Sequence, residues 1–295
     1  MSSLIERAAQ RLEQLRNTGV DLQLGPSPPV PGQNRVLHEG RQSRKVEIDL
    51  ELLAKSGFVT SASSRTRIAE EFRIIKRPLI VNATKAQGSE AVRRNLIMVT
   101  SALPGEGKTF TAINLAMSMA AELDHTVMLV DADVRRPSVL SMLGLPPAPG
   151  LMEVVKSSVE LPDVMLKTNV NRLSLLPSGM PHDQATELLA SDGMQRLLDE
   201  IATRYADRIV IFDSPPLLLT TESRVLASRM GQIVFVVRAD ETQQSDVESA
   251  LATLEGCSVY LVLNQARVGV FPGSRQGDGY GYGYGYGYGN GRDVS

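Results

Sequence analysis

The run Leu96-Ile97-Met98-Val99-Thr100 opens directly into Ser101-Ala102-Leu103-Pro104-Gly105-Glu106-Gly107-Lys108-Thr109, and apolar residues then return at helical spacing as Ile113, Ala116, Met117 and Ala120. Strand, glycine loop, Lys-Thr and helix, in that order, make a cradle for nucleotide phosphates. Gly105 and Gly107 let the backbone curl so that successive N–H groups point inward. The helix beginning near Lys108 adds the positive end of its dipole at the same spot. Lys108 reaches toward β- and γ-phosphates, and the Thr109 hydroxyl is placed to hold magnesium. The expected ligands are therefore ATP and Mg2+, with Pro104, Gly105, Glu106, Gly107, Lys108, Thr109 and Phe110 around the nucleotide. One position departs from the common pattern: Ala102 stands where the first glycine usually lies.

A strand–loop–helix unit of this kind needs parallel neighbours, and the following sequence supplies them. Strand candidates are Leu96–Thr100, Thr126–Val130, Leu173–Leu176, Arg208–Phe212, Ile233–Val237 and Val259–Leu263. Most are unbroken apolar runs, as buried parallel strands require. Between them lie helix candidates at Thr109–Leu123, Gly150–Val155, Gln184–Ala190, Gly193–Tyr205, Glu222–Arg229 and Gln244–Glu255. The alternation predicts an α/β fold: a doubly wound, mostly parallel sheet of the P-loop NTPase type, with helices on both faces. A further helical pattern runs from Ser64 to Lys76, and Val46 to Phe58 has no clear period.

Outside this core the composition changes. Residues 1–17 read as an amphipathic helix with Leu4, Ile5, Ala8, Leu12 and Leu15 on one stripe, and 18–45 as a Pro-rich linker. The core spans 46–270, and 271–295 carries a strict Gly-Tyr alternation from Gly279 to Gly289. Half glycine, that tail has little apolar area to offset its ordering entropy and is expected to be disordered. The 31 Lys and Arg nearly balance 33 Asp and Glu, so no basic field argues for nucleic acid. The lone Cys257 excludes an internal disulfide, and no run approaches the ~20 apolar residues of a bilayer span. A cytoplasmic location is expected.

Two more strand ends carry acid. Val130-Asp131-Ala132-Asp133-Val134-Arg135-Arg136-Pro137 places two carboxylates on one face of an extended chain, beside the loop. Ile209-Val210-Ile211-Phe212-Asp213 has the form of a strand whose aspartate orients magnesium. Phosphoryl transfer asks for positioning, charge neutralisation and a proton acceptor. Asp131 is the candidate base, Asp133 and Asp213 with Thr109 the candidate metal groups, and Lys108 with Asp131 and Asp133 the catalytic set. Asn264, after the last strand, sits where nucleotide switches place a base-contacting group, the alternative being a turn-forming asparagine.

Together these motifs resemble the bacterial tyrosine kinases of the CapB/CpsD type, over about Ala69 to the end. The resemblance rests on Gly107-Lys108-Thr109, the Asp131 to Pro137 segment, Asp213-Ser214-Pro215-Pro216 and the terminal tyrosines. It implies that Asp131 activates an incoming tyrosine, that Asp133 and Asp213 support magnesium, and that Tyr280, Tyr282, Tyr284, Tyr286 and Tyr288 are autophosphorylation sites. It further implies control of exopolysaccharide or capsule polymerisation and export. A separate membrane-embedded chain-length regulator would recruit the chain to the inner face of the membrane, and a phosphotyrosine phosphatase would act on it. Glu70, Arg73 and Lys76 match the spacing of a family helix motif used in ring-like self-association, with lysine in place of the final arginine. The N-terminal helix and linker are similar to those of kinases accompanying exosortase-linked exopolysaccharide loci. The competing reading is a MinD/ParA-type ATPase switch. Against it stand Leu103, where such switches usually carry a lysine, and a Gly-Tyr terminus in place of a basic helix.

Overall fold

The computed structural model describes residues 44–266 apart from 64, 85–92, 183 and 255. The N-terminal helix, most of the Pro-rich linker and the Gly-Tyr tail expected from the sequence lie outside the described residues. By its contacts the chain divides between Arg41 and Gln42, and the described residues all belong to the second unit.

Eight strands form one sheet: β1 (Lys45–Val46), β2 (Leu96–Ser101), β3 (Thr126–Asp131), β4 (Leu166–Thr168), β5 (Leu173–Leu176), β6 (Arg208–Asp213), β7 (Gln232–Arg238) and β8 (Val259–Asn264). Their spatial order is β1-β4-β5-β3-β6-β2-β7-β8. Every neighbouring pair is parallel except β4 with β5. The six apolar runs read from the sequence are β2, β3, β5, β6, β7 and β8. The helices are α1 (Leu50–Lys55), α2 (Arg67–Thr84), α3 (Lys108–Ala120), α4 (Val139–Met142), α5 (Leu151–Val155), α6 (Leu161–Val164), α7 (Ala185–Ala190), α8 (Asp192–Arg204), α9 (Thr221–Ala227) and α10 (Gln244–Leu251).

The central strands β2, β3, β6 and β7 are largely apolar because each face meets a helical layer, whereas the edge strand β8 leaves Leu261 and Leu263 exposed. On one face Leu96, Met98, Met128, Val130, Val210, Phe212, Ile233 and Phe235 pack with Leu151 of α5, Met194 and Leu198 of α8 and Leu226 of α9. On the other, Ile97, Val99, Val127, Leu129, Ile209, Ile211, Val234 and Val236 pack with Phe72 and Leu79 of α2 and with Ile113 and Leu115 of α3. The alternation follows from the two-residue period of a strand.

Three differences from the sequence reading have local causes. Asp49 types the unassigned stretch before Phe58: its Oδ1 accepts from the N–H groups of Glu51 and Leu52 and starts α1. Helix α2 does not stop at Lys76 but runs through Pro78. The bond lost to proline is to the carbonyl of Ile74, whose residue is exposed, so water can satisfy it. β4 pairs antiparallel with β5 through a short turn in which Arg172 has φ +65°.

Candidate functional site

The sheet order brings the carboxyl ends of β3, β6 and β2 side by side, and each delivers one part of the site. Asp131 and Asp213 are directly opposite in the β3–β6 register. The loop after β2 is zipped to the segment after β6: Ser214 N–H donates to Val99 O, Leu217 N–H to Ser101 O and Leu218 N–H to Ala102 O.

Gly105 (φ +83°) and Gly107 (φ +94°) hold the left-handed turns of the loop. A side chain at Gly107 would also collide with the Asn264 amide. Ala102, by contrast, has no positive φ and is fully buried in the core. The first loop position therefore needs no glycine here. Glu106 turns its side chain away from the loop's concave side. Its Oε2 accepts from Leu103 N–H at 2.6 Å, and its other oxygen accepts the Thr242 hydroxyl.

A cleft of about 730 Å³ opens at the loop, lined by Pro104, Gly105, Gly107, Lys108, Thr109 and Phe110 together with Asp133, Arg135, Arg136, Ser138, Met142, Pro215, Pro216, Leu219 and Thr220. Glu106 and Asn264 are not in that lining. Asn264 lies behind the loop, where its Nδ2 donates to Glu106 O at 2.9 Å. It borders a separate groove of about 660 Å³ between α2 and β8, which shares Phe110 with the cleft. Of the residues expected around the nucleotide, six meet in the cleft, one braces the loop from inside and one sits in the adjoining groove.

The carboxylates divide between cleft and interior. Asp133 faces the cleft, and its Oδ1 accepts Arg136 N–H at 3.1 Å. Asp131 is buried behind it: Oδ2 accepts from Ser138 and Val139 N–H, each at 3.0 Å, and Oδ1 accepts from Asp133 N–H at 3.3 Å. Asp131 thus also anchors the start of α4. Asp213 is wholly buried, with Oδ2 accepting the Thr109 hydroxyl at 2.6 Å and Oδ1 without a partner. Burial, reinforced by the Asp213 charge, raises Asp131 to about 8. Burial raises Asp213 to about 7, against the Thr109 hydrogen bond. Asp133 is raised by burial too, offset by its bond to Arg136 and by Lys108. Protonation relieves this crowding, and a neighbouring cation would favour the ionised forms instead.

The donor set fits magnesium carried by a nucleotide. Asp213 Oδ1 is an orphaned buried acceptor, and the Thr109 hydroxyl lies beside it. Among the described residues no three His, Cys, Asp or Glu side chains converge as a complete metal site. Mg2+ is commonly held by one or two carboxylates and completed by phosphates and water. Sequence reasoning missed two residues here. Ser138 Oγ lies 2.9 Å from Thr109 Oγ1, and Thr242 braces Glu106 from 136 positions away. Ser138 carried a weak signal, as a cap-forming residue before Val139; Thr242 carried none.

The helix motif Glu70, Arg73, Lys76 does not present a single face. Glu70 and Arg73 pair on the partly exposed side of α2. Lys76 is only 5% exposed, and its ammonium donates to Ser118 O and pairs with Glu122, each at 2.6 Å. Lys76 is thus a tie between α2 and α3, apart from the half-exposed Glu70–Arg73 pair.

Fold and cleft define a P-loop nucleotide-binding protein, and residues 94–256 match the family model described as AAA domain. Tyrosine-protein kinase YwqD of Bacillus subtilis is 33% identical over 166 residues, covering 56% of this chain and 69% of YwqD. Tyrosine-protein kinase ptk of Acinetobacter johnsonii is 32% identical over 57% of this chain but only 23% of its own length. The solved kinase domain of VpsO aligns with a TM-score of 0.55 and 28% identity, over 68% of this chain and all of that domain. The chain belongs to the bacterial tyrosine-protein kinases of the CapB/CpsD type, within the AAA-domain proteins.

Proposed function

We propose that this chain transfers the γ-phosphoryl group of ATP to tyrosines of its own terminal cluster, Tyr280, Tyr282, Tyr284, Tyr286 and Tyr288. The observation that carries the reading is one cleft in which Lys108, Thr109 and Asp133 meet directly in front of buried, proton-avid Asp131 and Asp213. In the transfer the phenol oxygen bonds to the γ-phosphorus as the bridging oxygen leaves with ADP. The phenol proton passes to a carboxylate. Asp131 is the carboxylate assigned to accept it, and Asp133, whose N–H it binds, lines the cleft in front of it. Lys108 and the loop N–H groups neutralise charge developing on the phosphoryl oxygens. Thr109, Asp213 and Asp133 would hold Mg2+, which would neutralise the β- and γ-phosphates when bound.

The wider role follows from the family: control of exopolysaccharide or capsule polymerisation and export, with a membrane-embedded chain-length regulator as activator and a phosphatase to reset the tail. Self-association uses Glu70 and Arg73 on α2. Incubation with Mg-ATP followed by intact-mass measurement tests the central step. Added phosphates should map after Gly279 and disappear in Lys108→Met and Asp131→Asn. ATP hydrolysis with an unmodified tail would reject the kinase in favour of a MinD/ParA-type switch.

A further inference from the structure

Beside the cleft lies a second, smaller cavity of about 350 Å³, lined by Val134, Arg135, Pro181, His182, Ala185 and Thr186. Arg135 lines both cavities, so the two share it as a common wall. The steps above give this cavity no role. Its lining divides by chemistry. Arg135, His182 and Thr186 offer a guanidinium fork, an imidazole and a hydroxyl, and Val134, Pro181 and Ala185 offer apolar walls.

We propose that this cavity docks a phosphotyrosyl side chain of the tail, so that one modified residue primes modification of its neighbour. Arginine recognises a phosphoryl group through paired charge-assisted hydrogen bonds, and the aromatic ring needs apolar contact. Both are offered within one concavity. The occupant is fixed by the repeat itself. Strict Gly-Tyr alternation puts successive tyrosines on the same face of an extended segment, two residues or roughly 6.7 Å apart. When one phenol occupies the cleft, the next tyrosine stays close beside it, on the side where the cavity shares the Arg135 wall, and glycine between them leaves no side chain to clash. An unmodified phenol gains little from a guanidinium, whereas a phosphoryl group gains two strong bonds. Glu187, whose carboxylate accepts the Thr186 hydroxyl at 2.9 Å, is the resident competitor for that donor.

The inference rests on the tyrosine-kinase reading, and its test separates the two. Full-length protein is given Gly-Tyr-Gly-Tyr-Gly-Tyr-Gly peptides, unmodified or carrying one phosphotyrosine. Binding is read by fluorescence anisotropy and transfer by mass spectrometry. The singly modified peptide should bind at least about tenfold more tightly, the scale of one charge-assisted hydrogen bond. It should also accept the next phosphate with a higher kcat/KM. His182→Ala and Thr186→Val should remove that preference and leave turnover of the unmodified peptide unchanged. Free phosphotyrosine should suppress the preference, and inorganic phosphate at the same concentration should not. Equal binding of the two peptides, a preference that survives both substitutions, or equal suppression by phosphate overturns the proposal. Tight, His182-dependent binding with no transfer would keep this site and reject the kinase reading.

Discussion

At the scale of single residues, Asp213 concentrates the tension in the site. Its Oδ1 is buried without a partner, and its ionisation is pushed up to about 7 from an ordinary 3.8. The folded state therefore holds this proton more tightly than the unfolded chain does. Its contribution to stability falls as pH rises above about 4, and the penalty is complete above about 7. Asp213→Asn keeps an acceptor for the Thr109 hydroxyl and removes the buried charge. The nucleotide-free variant should melt higher than the parent at pH 8, by the equivalent of a few kcal/mol at most, and close to it at pH 4. It should also lose the rise in Tm that Mg-ATP gives the parent; a variant still stabilised by Mg-ATP would take Asp213 out of the metal site. Glu106 poses a different question, because its two oxygens tie Leu103 N–H to Thr242. Gln at this position can accept from Leu103 and donate to Thr242, whereas Ala leaves a buried N–H unpaired at a cost of about 1–3 kcal/mol. Glu106→Ala should raise the KM for ATP severalfold, and Glu106→Gln should restore it. Equal defects in both would mean that the charge, not the brace, is what the loop requires.

Among the elements, α2 shows how sequence and structure part company. Its heptad-like pattern and its Glu-x-x-Arg-x-x-Lys spacing are both plain in the sequence. What the spacing does not reveal is that Lys76 points inward, because a long aliphatic stem can cross an apolar face while its charge finds Ser118 O and Glu122. Lys76→Met should cost little stability, since a hydrophobe of similar length can replace a buried ion. Lys76→Glu should destabilise strongly, by setting a second acid against Glu122. Self-association should follow Glu70 and Arg73 instead. Analytical ultracentrifugation of Lys76→Met decides the matter, and a dissociated variant with an unchanged Tm would return Lys76 to the interface. The six strands were legible because short, mostly apolar runs alternate with helical patterns, and the loop because glycine, lysine and threonine must keep their order. α4 and α6 were not legible because four residues are too few to show a helical period, nor β4 because Lys167 and Thr168 leave it no apolar run. The bracing by Thr242 was equally hidden, since nothing in a linear chain marks partners 136 residues apart.

For the whole molecule the decisive quantity is charge. The chain is close to neutral, with a formal net charge of −2, so copies of it repel one another weakly. Each phosphotyrosine adds about −1.5 to −2 near neutral pH, so five add roughly −8 to −10 within nine residues. The nearest basic residues in sequence are Arg275 and Arg292, outside the Gly279 to Gly289 repeat. Glycine supplies no side chain to neutralise or shield the new anions. Full modification should therefore turn a nearly neutral protomer into a strongly acidic one and loosen the proposed self-association. The loosening should be largest at low salt, where the screening length exceeds ~10 Å, and much weaker near 1 M, where it is about 3 Å. Light scattering on unmodified and fully phosphorylated protein, at both salt concentrations, measures this directly. A phosphorylated sample that keeps its mass at low salt would show that tail charge does not govern association. Loosening that ignores salt would assign the effect to lost packing instead of repulsion. If the expected pattern holds, phosphates placed one by one beside Arg135 accumulate until repulsion separates the copies, and the repeat sets how many that takes.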